Sequence, residues 1–218
     1  MHKENIDKKE EVLRQISEIK SHLVDKETFF PYNYSACYVW SGIATVLTFG
    51  MAFIYEYSFV VGTVFMSILL AMGFLVEGFL TKKVNASYDI DDCTKRQQFI
   101  MLNFLMISIF MIIISTFLAT SNLYVLALLM WLFLISLGYF AVGFVLNIER
   151  FTKMAQFNMI TALVLLSVGA YLNILVGVES IFYTLVQAVV IFGLAVMPTS
   201  IAWHQQKLEK IDKVGCSV

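Results

Sequence analysis

Along the chain, long apolar stretches alternate with short polar ones. Residues 35–55, 58–80, 99–119, 123–146, 157–176 and 180–203 contain one formally charged side chain between them, Glu77. A hydrocarbon core about 30 Å thick needs roughly 20 helical residues at ~1.5 Å rise each, so every stretch is long enough to cross. Runs such as Ile112-Ile113-Ile114 and Leu128-Leu129-Met130 do not alternate apolar with polar, which argues against barrel strands. The pattern predicts an all-α integral membrane protein with six transmembrane helices. The first stretch begins only after a charged segment and is longer than the apolar region of a signal peptide, so it is expected to remain in the mature chain.

A different period governs the front of the chain. Val12, Ile16, Ile19 and Leu23 recur at spacings of four, three and four with charged residues between them, which predicts an amphipathic helix over about residues 5–27. Its acidic and basic residues nearly balance, so it suits packing against protein better than binding anionic lipid. Phe29, Phe30, Pro31, Tyr32 and Tyr34 follow as an aromatic approach to the bilayer. The expected organisation is therefore residues 1–34 as this helix and approach, 35–203 as the six-helix bundle, and 204–218 as a tail.

Charge adds the orientation. All 15 lysines and arginines fall in residues 1–34, 81–98, 147–156 and 204–218. The connections at Glu56-Tyr57, Thr120-Ser121-Asn122 and Gly177-Val178-Glu179 carry none, so the basic segments and both termini are expected in the cytoplasm. This makes three hairpins with short outer turns. Composition agrees, with 59% hydrophobic residues, 14% charged, and a mean hydropathy of +0.78. A net charge of −1 argues against a nucleic-acid partner. The expected partners are the lipid bilayer and either a second copy of the chain or another membrane protein. The multi-pass location leaves open which membrane is occupied.

Candidate chemistry is sparse. Glu77 is the candidate functional acid, because an intramembrane charge marks a site by default. It also lies near the cytoplasmic end of its stretch, where a carboxylate reaching back to the interface is the competing expectation. Residues three and four positions away on its helix include no base, so a cationic partner would come from Arg96, Arg150, Lys153 or His204. Asn103, Asn158, Asn173 and Gln187 are candidate polar bundle residues, expected to hydrogen-bond between helices. Ser108 and Ser115 stand two turns apart on one face. Pro198 is expected to disturb the last helix, with Thr199 and Ser200 covering the freed carbonyls. The pairs Gly73/Gly78 and Gly138/Gly143 occupy matching positions in two apolar stretches, where small residues allow helices to approach.

The six stretches contain no histidine or lysine, no HExxH and no pair of aspartates. Transmembrane bis-histidine haem, a retinal-type Schiff base and intramembrane proteolysis therefore lack their residues. Asp89-Ile90-Asp91-Asp92 lacks the glycine and later glutamate of a calcium loop, and Cys37, Cys93 and Cys216 are dispersed. The expectation is a protein that is not an enzyme and uses no cofactor. Two classes stay open. One is a regulatory, scaffolding or oligomerising membrane protein acting through its bundle and cytoplasmic helix. The other is a channel or transporter for a small neutral or weakly charged solute.

Overall fold

The computed structural model describes residues 32–86, 95–178 and 180–215, with side chains as far as Lys207. The amphipathic stripe of Val12, Ile16, Ile19 and Leu23, the acidic segment around Asp91 and the cysteines Cys93 and Cys216 lie outside the described residues. Among the described residues there is no strand, and six helices are long and apolar enough to cross a membrane. They are α1 (Tyr34–Tyr57), α2 (Phe59–Ala86), α3 (Lys95–Ala119), α4 (Tyr124–Val145), α5 (Glu149–Tyr171) and a sixth rod. The rod consists of α6 (Ile181–Ile191), a wide π-turn (Phe192–Val196) and α7 (Met197–Gly215).

Two boundaries differ from the sequence expectation in ways that matter. The polar segment 147–156 is mostly helix: only Leu146, Asn147 and Ile148 separate α4 from α5. The fifth helix therefore begins well before residue 157 and ends at Tyr171, before residue 176. Charged residues at a helix end do not stop the helix, since Glu149 and Lys153 sit one turn apart and pair at 2.8 Å along the helix surface.

Three helices end in the same way. Asn122, Asn147 and Asn173 hold φ of 53°, 54° and 59°, the left-handed region that asparagine tolerates better than other residues with side chains beyond glycine. At each, the next residue donates its N–H five residues back: Leu123 to Leu118, Ile148 to Gly143 and Ile174 to Gly169, all within 2.9–3.0 Å. The asparagines donate to Ala119, Phe144 and Ala170. These paired bonds satisfy carbonyls that a helix end leaves open. Asn173 is thus an exposed helix terminator and not a polar group between helices, which corrects the sequence expectation. Asn147→Val is expected to cost about 1–2 kcal/mol, because a β-branched residue is strained at positive φ, while Asn147→Gly should be tolerated. Thermal unfolding of the two purified variants side by side checks this.

Helix α4 occupies the centre. Val125, Leu128, Leu132 and Val142 are fully buried, and it packs between α3 and α5 with the sixth rod against it. The outer surface is apolar, with Phe53, Leu75, Phe79 and Phe144 each more than two-thirds exposed. Close helix approaches occur where glycine removes a Cβ. A Cβ on Gly73 would stand 2.6 Å from Ile43 Cδ1, and one on Gly138 would stand 2.8 Å from Phe104. Gly78, by contrast, has nothing within 4 Å, so the two glycine pairs do different jobs despite their matching positions. At the end of α2, Asn85 and Gln97 exchange two amide hydrogen bonds of 3.0 and 2.7 Å, tying α2 to the first turn of α3.

Candidate functional site: an interior cavity at Glu77

Leu70, Gly73 and Glu77 recur at spacings of three and four on α2, so they share the face turned to α1. Because Gly73 has no side chain, the Trp40 indole of α1 lies against α2 there, with ring atoms 3.0–3.1 Å from where a Cβ would stand. One turn along, Trp40 Nε1 donates to Glu77 Oε2 at 2.7 Å. Phe74 packs edge-on to Trp40, with ring centroids 4.9 Å apart. The indole is therefore held by three residues of α2, one of which is the carboxylate it donates to.

Glu77 and Trp40 line a cavity of about 60 Å3 among α1, α2, α3, α4 and the π-turn. Its walls include Phe104, Ser108, Trp131 and Tyr139, and Tyr32 and Cys37 lie at the end nearest the start of α1. Trp131 donates to Ser115 at 2.7 Å, and Phe104 packs edge-on to Tyr139 at 5.7 Å. Tyr139 also stacks on Phe151 at 5.5 Å. These aromatic contacts fix the wall geometry.

The half-buried carboxylate lines this cavity and accepts from Trp40. Among the described residues no cationic side chain forms an ion pair with it, and Lys153 is engaged by Glu149 instead. Oε1 of Glu77 receives no hydrogen bond from a described residue and is not sealed off by packing. A site with one free carboxylate oxygen, one indole donor and apolar walls binds by charge and shape. It lacks the neighbouring base or second carboxylate that acid–base catalysis uses.

The other polar candidates fall elsewhere. Asn158 is buried, 2% exposed, and donates to the Gly193 carbonyl of the π-turn at 3.0 Å. Gln187 donates to the Thr48 carbonyl at 3.0 Å and to Tyr183 Oη at 3.1 Å, joining the sixth rod to α1. Asn103 is half-buried and makes no hydrogen bond among the described residues. Ser115 supports Trp131, while Ser108 lines the cavity, so two serines on one helix face serve different purposes.

The π-turn escaped the sequence analysis, although Pro198 was its signal. In the wide register Met197 donates to Phe192, and the next donor would be the N–H that Pro198 lacks. The carbonyl left open is that of Gly193, which Asn158 takes. Ala195 O accepts from Thr199 Oγ1 at 2.6 Å and Ser41 Oγ at 3.0 Å. Side chains from α1 and α5 thus complete the rod's irregular segment.

No protein-family model matches the chain, and no curated protein or solved structure matches it.

Proposed function

We propose that this chain is a non-enzymatic multi-pass membrane protein that carries a small, weakly charged solute through a site at Glu77. The reading places the six helices in lipid as three hairpins, with both termini and the basic segments in the cytoplasm. The apolar outer surface supports insertion, because side chains such as Phe53 and Phe144 would be costly against water. The one-sided distribution of lysine and arginine supports the orientation.

The observation that carries the solute reading is the Glu77 carboxylate, one oxygen held by Trp40 and the other open beside a cavity. An acidic side chain inside a bundle with no basic partner among the described residues marks a site by default, and a ligand that completes it accounts for its presence. The cavity is small, which suits a solute of few atoms and excludes a bulky one in this conformation.

A regulatory or oligomerising role keeps one observation in its favour. Between α1 and the sixth rod runs an open groove whose floor includes Ser41, Gly42, Thr45, Ala195 and Thr199, small side chains of the kind that admit a neighbouring helix, with Tyr38, Ile191 and Trp203 also lining it.

Flux across liposomes holding the purified full chain separates the two. Glu77→Gln keeps the side-chain shape and is expected to lower solute flux about tenfold or more. A hydrogen bond to a charged group contributes ~1.5–3 kcal/mol, and each ~1.4 kcal/mol is a factor of ten. Size-exclusion profile and melting temperature should stay near wild type. Undiminished flux in the folded variant, or no flux in the wild type, would move the protein to the regulatory class.

A further inference from the structure

We infer that the Glu77 cavity is a site for a small monovalent ammonium ion, either ammonium itself or an amine the size of methylammonium. The inference rests on the solute-site reading above and names the chemistry of that solute.

Charge sets the first requirement. The cavity contains one carboxylate, and among the described residues no cation is paired with it. Trp40 is a neutral donor to Oε2 and brings no positive charge to the carboxylate. A ligand with a single positive charge matches a site that holds one carboxylate and no cation among the described residues.

The walls decide which cation. Calcium takes about six to eight oxygen ligands, and magnesium takes six in a nearly ideal octahedron. Among the described residues no cluster of three or more histidine, cysteine or acidic side chains exists to begin such a shell. The cavity wall is instead apolar, with the rings of Trp40, Phe104, Trp131 and Tyr139 set among aliphatic side chains such as Ile43, Leu70 and Ile107. Aromatic rings attract a desolvated cation through their negative faces, and tryptophan does so most strongly. An ammonium group matches both halves of the site. Its N–H donors suit Glu77 Oε1, and its remaining surface tolerates the aromatic and aliphatic carbon of the wall.

Volume sets the upper limit. One water needs about 10–15 Å3 by this measure, and a cavity of about 150 Å3 admits benzene. At about 60 Å3 the site takes a guest of a few heavy atoms, so tetraalkylammonium ions and polyamines are excluded.

The three tryptophans make a direct test available, because Trp40 and Trp131 line the cavity while Trp203 is 61% exposed outside it. The full chain carrying Trp203→Phe, reconstituted in lipid nanodiscs, reports the cavity by intrinsic fluorescence. Ammonium chloride and methylammonium chloride are each titrated against potassium chloride, tetramethylammonium chloride and methanol. A saturable change is expected with ammonium or methylammonium and not with the other three. Adding Glu77→Gln should weaken it about tenfold or more. Ala44→Leu fills the cavity wall and keeps the carboxylate, and it should also abolish the response. It decides the matter if Glu77→Gln fails to fold. No saturable response to either ion, an equal response to potassium, or an undiminished response in the folded variants would overturn the assignment.

Flux measured alongside distinguishes the two readings. Ammonium binding without flux retains the site and removes the carrier. Flux of another solute that methylammonium does not inhibit retains the carrier and removes the ammonium site.

Discussion

Gly143→Val is expected to destabilise the bundle by about 3 kcal/mol or more, at the upper end of what overpacking a closely packed site costs. A Cβ at this position would overlap Thr152 Oγ1 and stand 2.7 Å from the Thr152 backbone nitrogen and 3.2 Å from the Ile148 carbonyl. A backbone atom cannot swing aside as a side-chain tip can, so α5 would have to move off α4. Relief by local movement is blocked because the same residue accepts the Ile148 N–H that closes the α4 terminus. Gly78→Val is the control. With nothing within 4 Å of its Cβ, it should change stability by less than about 0.5 kcal/mol. Unfolding of both variants in detergent, followed by circular dichroism, tests the pair, and equal losses would contradict the close approach.

The second large effect is expected at Asn158. Asn158→Leu removes the donor to the Gly193 carbonyl, the acceptor that Pro198 leaves open, and strands it in a dry interior at a cost of about 1–3 kcal/mol. Leu132 and Gly193 crowd the site, since a Cβ on Gly193 would stand 2.8 Å from both Asn158 Oδ1 and Leu132 Cδ1. A branched side chain therefore adds strain, and the total loss is expected to reach about 3 kcal/mol. Asn103→Leu should be near neutral, because Asn103 is half-buried and has no hydrogen bond among the described residues to lose. Matching melting temperatures for the two variants would remove the role assigned to Asn158.

These contrasts mark where sequence reading stopped. Gly78 and Gly143 occupy corresponding places in two apolar stretches, yet one faces open space and the other a backbone. Asn103, Asn158 and Asn173 are equally polar residues near apolar runs. One is half-buried without a bond, one completes the π-turn and one terminates a helix. The Asn173 role had a local signal: asparagine followed soon by Gly177 marks a chain break better than a span reaching 176. The Glu77 environment had none, because Trp40 is 37 residues away and Phe104, Trp131 and Tyr139 lie on two further helices.

The sequence by itself determined the helical class and the six apolar spans. A stretch of about 20 apolar residues without alternation has one economical way to satisfy its backbone in hydrocarbon, and that way is written in consecutive residues. Only the tertiary structure decided that α4 is central, that Glu77 accepts from Trp40, and that Asn158 completes the sixth rod. The physical reason is that lipid and protein interior are almost equally apolar. A helix spanning a membrane need not separate its buried and outward faces by composition, and the hydrophobic periodicity that reveals a core in water carries little of that information here.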